Sequence, residues 1–186
     1  MTENYLRITS GKWKNKKLKA PDEISPLRER IKLAVFSTIS EYIQDSVCLD
    51  LYAGSGNLGF EALSRGAEKC TFVDDNYYSI QSIKENAQKM DIALEESETA
   101  IVVKEDALKF VSGEPGYYDI TFLDPPYDSH INHLFKIINE ILNKDGLIVF
   151  FHSSIKSINI ENLNPALKIA DSRKYGATAV DFISFK

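Results

Sequence analysis

Asp50-Leu51-Tyr52-Ala53-Gly54-Ser55-Gly56-Asn57-Leu58-Gly59 closes a short apolar run that begins at Val47. It reads as a strand ending in a glycine turn with a helix behind it. Gly54-x-Gly56-x-x-Gly59 has the spacing that lets a backbone approach a ligand closely, with helix N–H groups facing it. Phe60 and Leu63 face inward on the helix, and Gly66 stops it. The spacing alone is shared with nicotinamide dehydrogenases. The acid inside the strand, Asp50, is not part of their pattern.

The same alternation continues along the chain. Cys70–Val73 is a second strand, ending at Asp74-Asp75, and 77–90 a helix with Ile80, Ile83 and Ala87 on one side. Residues 91–100 read as an acidic loop, Ile101–Val103 as a third strand and Tyr118–Leu123 as a fourth. Ile131–Leu142 is expected to be a helix, Gly146–Phe151 a fifth strand, and Ala179–Phe185 a late, hairpin-paired strand. Upstream, Leu27, Ile31, Val35, Phe36 and Ile39 predict a helix over Leu27–Ile43. Residues 5–20, with Ser10-Gly11 and Asn15 as turn signals, predict a small β-hairpin. Strand alternating with helix means an α/β fold with a mostly parallel sheet, helices on both faces and an N-terminal hairpin extension. We expect the extension to span 1–24 and the main domain 25–186.

Composition narrows the function. The 186 residues are 44% hydrophobic and 26% charged, as in one globular domain. No apolar run is long enough for a membrane helix and no signal peptide opens the chain, so a cytoplasmic protein is expected. Cys48 and Cys70 read as reduced core residues, and three histidines without clustered partners predict no metal site. The net charge of −5 is unevenly spread: residues 1–32 carry nine Lys/Arg against four acids, and the remainder carries −10. A basic arm on an acidic body, with Tyr5 and Trp13 among the cations, fits a phosphate backbone. The plainer alternative is a solvated terminus.

Leu123-Asp124-Pro125-Pro126-Tyr127 ends the fourth strand. The prolines fix φ and remove two N–H donors, and residue 124 is held extended because a proline follows it. The result is a rigid run of acceptors beside an aromatic ring. An exocyclic amine donating to Asp124 and the Pro125 carbonyl keeps its lone pair outward, while its base stacks on Tyr127. An ordinary turn uses the same residues. However, ligands of such sheets bind beyond the strands' carboxyl ends, and three more ends are suitably equipped: the glycine loop, Asp74 for ribose hydroxyls, and Asp106-Ala107 for an adenine.

Taken together, these residues resemble the Rossmann-like methyltransferases that modify exocyclic amines using S-adenosylmethionine. The match is closer to the bacterial 16S ribosomal RNA guanine-N2 methyltransferase family. It is carried by Arg7-Ile8-Thr9-Ser10-Gly11-Lys12-Trp13-Lys14, Arg30-Ile31-Lys32, the run from Asp50 to Gly59 with Glu61-Ala62-Leu63-Ser64-Arg65-Gly66-Ala67, Asp124-Pro125-Pro126-Tyr127 and Arg173-Lys174-Tyr175-Gly176. The resemblance implies methyl transfer from S-adenosylmethionine to a guanine N2 in ribosomal RNA, within the small subunit or its assembly intermediate, by a monomer. Asp124, Pro125, Pro126 and Tyr127 are the expected catalytic residues. Asp50, Ala53, Gly54, Ser55, Gly56, Asp74, Asp106 and Ala107 are expected to hold the cofactor. Arg7, Lys12, Lys14, Lys16, Lys17 and Arg30 are expected on RNA.

The chain departs from the family pattern at Ser25 and Leu27, which replace a usual Arg and Thr. Phe151 precedes His152 where the family often has an acid, and His152 is given no role. The rival readings are a DNA adenine-N6 or protein glutamine-N5 methyltransferase and a non-catalytic RNA-binding assembly factor. A DNA enzyme usually needs a recognition domain for which the chain has no room, and the glutamine enzymes favour Asn where Asp124 stands.

Overall fold

The computed structural model describes residues 6–19, 26–94, 98–113, 116–126, 131–156 and 158–186. Tyr5, Ser25 and Tyr127 lie outside them. A two-stranded hairpin, β1 (Leu6–Arg7) and β2 (Lys17–Leu18), comes first. The main sheet holds β3 (Val47–Leu51), β4 (Lys69–Asp74), β5 (Ala100–Lys104), β6 (Tyr118–Leu123), β7 (Leu142–Ser153), β8 (Leu167–Tyr175) and β9 (Thr178–Phe185). Its spatial order is β5-β4-β3-β6-β7-β9-β8. The first five run parallel, while β9 is antiparallel to both β7 and β8. Strand order reverses beside β3, so a crevice opens between the ends of β3 and β6.

Two layers of helix cover the sheet. On one face α1 (Pro26–Thr38), α2 (Ser40–Ile43), α3 (Asn57–Ser64) and α4 (Tyr77–Lys89) pack with Phe36, Phe60, Phe72 and Phe122. On the other, α5 (Ala107–Gly113), α6 (Asn132–Phe135) and α7 (Ile160–Leu163) pack with Leu49, Val73, Phe135 and Phe150. Burial from both sides explains the continuous apolar strands. Cys48 and Cys70 are register partners on β3 and β4, buried and free.

The hairpin is part of the core. Leu6, Ile8, Trp13 and Leu18 are buried in the same cluster as α1, α3 and α4. The fastening is polar as well. Glu61 of α3 is fully buried and accepts from Thr9 N (2.8 Å), Thr9 Oγ1 (2.6 Å) and Ser10 N (3.1 Å). It also meets Lys32 Nζ at 3.0 Å and Arg65 Nε at 2.8 Å. Lys32, itself buried, donates to Arg7 O (2.6 Å) and Asn57 Oδ1 (2.7 Å). Gly11 lies so close to α3 that a Cβ there would sit 1.7 Å from Ser64 O. Only glycine fits that approach.

Several elements differ from the sequence expectation. The helix expected over Leu27–Ile43 is two helices, broken at Ile39, whose φ of −97° and ψ of 15° leave the helical region. The helix expected over Ile131–Leu142 is shorter: α6 is followed by a 3₁₀ turn at Ile138–Ile141, and Leu142 already pairs with Tyr118 in β7. Buried Ile138 and Ile141 serve a 3₁₀ turn as well as an α-helix. The fifth strand therefore begins four residues before Gly146, pinned where Asn143 Nδ2 donates to the Asp119 carboxylate. The edge strand β8 was not expected, because it is exposed almost throughout and shows no apolar alternation.

Glu61→Ala should destabilise the protein by about 3–5 kcal/mol, because it strands the buried Lys32 ammonium without its counter-charge. Urea denaturation checks this. A loss no larger than that of an exposed ion pair would show that the site relaxes around Lys32.

Candidate active site

The carboxyl ends of β3, β4, β5 and β6 form one rim. The three glycines of the β3 turn serve separate purposes. Gly54 and Gly56 have φ of +57° and +75°, which L side chains avoid. Gly59 allows α3 to lie on β4: a Cβ there would stand 2.3 Å from Phe72 Cε1 and 2.6 Å from Cys70 Sγ. Asp50, buried beneath the helix, accepts from Gly59 N at 2.9 Å. Its carboxyl is held well above the usual carboxylate range, first by burial and then by the Asp124 and Asp74 charges, against the pull of the Gly59 bond. Asp50 thus seats the helix that carries the loop.

Asp74, at the end of β4, accepts from Gly54 N (2.8 Å) with one oxygen and from Asn76 N (2.9 Å) with the other. It shapes the loop as well as facing the rim. Asp106 accepts from Lys109 N at 2.9 Å and caps α5; Ala107 behind it is buried. Tyr52 was not singled out by sequence reasoning. It sits at the end of β3 with a φ of +58°, uncommon for a residue of its size. Burial and then the Asp106 and Asp75 charges raise its hydroxyl pKa.

Asp124 follows Leu123, the register partner of Leu51 at the end of β3. It therefore stands at the switch between β3 and β6. Burial pushes its carboxyl pKa upward and the Arg28 charge pulls it down. Arg28, near the start of α1, was counted in the sequence only as one of the basic residues. Pro125 is buried and Pro126 exposed. Tyr127 lies outside the described residues.

The structure brings Asp50, Ala53–Gly56, Asp74, Asp106 and Asp124 to one rim. It does not bring all the basic residues there. Lys12 N donates to Ser64 O (2.7 Å) at the far end of α3, about 12 Å from the loop at 1.5 Å per residue. Lys14 belongs to the same turn. The Lys12 ammonium lies over Trp13, 5.2 Å from the ring centre, and Lys16 donates to Lys89 O at 2.9 Å. Arg7, Lys17 and Arg30 have exposed side chains, and the Arg7 backbone lies by Asn57 through Lys32. Among the described residues no group of three or more His, Cys, Asp or Glu could hold a metal ion, and no helix is long and apolar enough to cross a membrane.

The loop and acids fit a nucleoside carrying a cationic, amine-bearing chain. Open space lies where Gly54 would carry a Cβ, and carboxylates suit hydroxyl and ammonium donors. Fold and site together define the class of Rossmann-like, S-adenosylmethionine-dependent methyltransferases. A family model described as Conserved hypothetical protein 95 matches residues 6–184. The chain belongs to this bacterial rRNA methyltransferase family. It is 36% identical to "Putative rRNA methyltransferase YlbH" of Bacillus subtilis, over 94% of this chain and 96% of the relative. It is 38% identical to Ribosomal RNA small subunit methyltransferase D of Haemophilus influenzae, over 68% of this chain but only 65% of the relative. A solved structure from Haemophilus influenzae superposes with a TM-score of 0.80, is 28% identical, and covers 97% of this chain and 98% of its own.

His152, beyond the end of the β6–β7 pairing, has acceptors at both ring nitrogens: Asp181 Oδ2 at Nε2 (2.9 Å), and the Ser153 and Lys156 carbonyls at Nδ1 (3.0 and 3.2 Å). Only the imidazolium donates to both sides. Burial lowers its pKa, but the Asp181 bond and charge and the two carbonyls outweigh it, and the net shift is upward from 6.5. The folded form therefore binds the proton more tightly than the unfolded chain. The stabilisation is complete below about pH 6.5 and is lost as pH rises through the raised value. Thermal unfolding should show this decline in the wild type and a flatter profile in His152→Ala. Parallel profiles would mean that the proton is not held.

Proposed function

We propose that the protein transfers a methyl group from S-adenosylmethionine to the exocyclic N2 amine of a guanine in small-subunit ribosomal RNA. The observation that carries the reading is the Asp124-Pro125-Pro126 segment, set at the β3–β6 switch and within electrostatic reach of Asp50 beneath the glycine loop. The relatives' names support the substrate: rRNA for the Bacillus relative and small-subunit rRNA for the Haemophilus one. The guanine amine is the finer step, resting on the motif's acceptors. Such a substrate places the protein in the cytoplasm.

When bound, the cofactor supplies an electrophilic sulfonium methyl, so the protein's task is orientation. Gly54, Ser55 and Gly56 line its chain and ribose, beside Ala53. Asp74 takes ribose hydroxyls, Asp106 and Ala107 face the adenine, and Asp50 holds the loop through Gly59. Asp124 and the Pro125 carbonyl accept the two N–H bonds of the amine, directing its lone pair at the methyl carbon, and Tyr127 stacks on the base. Alignment of this kind supplies up to about 7–11 kcal/mol. Transfer of the methyl, with its bond to the sulfonium sulfur broken and S-adenosylhomocysteine as the leaving group, would leave a surplus proton on the amine nitrogen for Asp124 or water to accept. The base must leave its stack to reach this rim. Lys12 and Lys14, about a helix length away, meet phosphates, with Arg7, Lys16, Lys17 and Arg30 on the same RNA.

Methyl transfer from labelled S-adenosylmethionine to small subunits lacking their own modifications, followed by nucleoside analysis, tests the reading. Label in N2-methylguanosine is expected. Label in methyladenine would keep the chemistry and reject the base, and label in DNA or protein alone would reject the RNA.

Asp124→Ala should lower turnover by at least 100-fold and leave cofactor affinity within a few-fold. The acid limb of kcat should lie above the ordinary Asp range, since burial raises the Asp124 pKa. Arg28→Ala removes the charge that pulls this pKa down, so the limb should move to higher pH. An unmoved limb would detach it from Asp124.

A further inference from the structure

Asn86 is fully buried on α4, and apart from a long bond from Lys89 Nζ (3.4 Å) its side chain is bound from outside its own helix. Oδ1 accepts from Lys19 N at 2.7 Å, and Nδ2 donates to Lys19 O at 2.9 Å and to Ser55 O at 3.0 Å. Two donors at one end of the amide and two acceptors at the other fix which end is oxygen. Lys19 is the residue after β2, where the chain leaves the hairpin. Ser55 is the middle of the glycine loop.

The loop is anchored around this point. Ala53 N donates to Val73 O (3.1 Å), Gly54 N to Asp74, and Gly56 N to Ala53 O (2.7 Å). The two flanking glycines have wide backbone freedom, so the orientation of the Ser55 peptide carbonyl depends on what grips it. Nearby, Lys19 Nζ pairs with Glu85 at 2.9 Å, but both side chains are about half exposed, so that pair contributes little. The buried amide is the stronger tie.

We propose that Asn86 is a positioning residue for the cofactor loop, and that it holds the loop by fastening it to the exit of the N-terminal hairpin. This rests on the methyltransferase reading for the ligand, but not for the loop. By this arrangement RNA drawn onto the hairpin and cofactor drawn into the loop share one anchor. Any coupling between them is reciprocal.

The test uses the full chain with Asn86→Ala, Asn86→Asp and, as control, Glu85→Ala. The aspartate keeps an acceptor for Lys19 N but sets a carboxylate against the Ser55 and Lys19 carbonyls. Two readouts are taken: S-adenosylhomocysteine affinity by calorimetry, and hydrogen exchange of the ligand-free protein over residues 53–57. Both Asn86 variants should bind at least tenfold more weakly and exchange faster in the loop, with kcat at saturating cofactor within about threefold of wild type. Glu85→Ala should stay within twofold in affinity. Lower thermal stability with unchanged affinity and unchanged loop exchange in either folded Asn86 variant would overturn the proposal and leave Asn86 a core hydrogen bond. If the wild type itself fails to bind S-adenosylhomocysteine, the methyltransferase reading fails. Loop exchange then decides the positioning role alone.

Discussion

The arrangement depends on one buried carboxylate. Glu61 collects the backbone and hydroxyl of Thr9, the backbone of Ser10, the Lys32 ammonium and the Arg65 guanidinium. An ionised group at that depth is tolerable only when its lone pairs are met. Burial raises its pKa, yet Lys32, Thr9 and Arg65 bring it below the ordinary value. Lys32 in turn reaches Arg7 and Asn57, the first residue of α3. The N-terminal hairpin, α1 and the helix behind the glycine loop are therefore joined through one charge. The position of the rim is set from behind, by residues that do not face the ligand.

This explains what was legible in the sequence and what was not. The parallel order, the glycine turn and the acids at strand ends were legible because each has a local signature: apolar runs, φ-permissive residues, and charge just past a strand. Arg7-Ile8-Thr9-Ser10-Gly11 and Glu61–Arg65 were legible only as a resemblance. Their partners are 51 to 56 residues apart, and no periodicity reports such a pairing. The basic opening reads as a phosphate arm because charge is countable in one dimension. That its apolar members are core, and that Gly11 abuts Ser64, is visible only once α3 is in place. Asn86 was hidden in the same way, as a polar residue within a helical pattern. Leu142 was assigned to a helix because an apolar residue after Ile138 and Ile141 fits either period.

Charge is segregated with a consequence for binding. Asp50, Asp74, Asp106 and Asp124 gather at one rim, and burial with their mutual repulsion already raises the Asp50 carboxyl. Such a rim favours a cationic ligand and repels a phosphate backbone. An RNA chain must then be held from outside the rim and deliver only a base to it. The exposed cations are placed accordingly: Lys12 and Lys14 on the turn at the far end of α3, and Arg28 and Arg30 at the start of α1. A chain of net charge −5 is thus compatible with a polyanionic partner, because the exposed cations Lys12 and Lys14 stand apart from the acidic rim.

Arg28 sits at the boundary between these surfaces. Its charge lowers the pKa that burial raises at Asp124, so a residue at the start of α1 opposes the protonation that burial favours at the acid expected to accept from the amine. An exposed guanidinium is also free to turn toward a phosphate. Were Arg28 drawn away, Asp124 would lose a charge that lowers its pKa, and its affinity for a proton would rise. The opposing effects of burial and Arg28 thus join the start of α1 electrostatically to the acid at the end of β6.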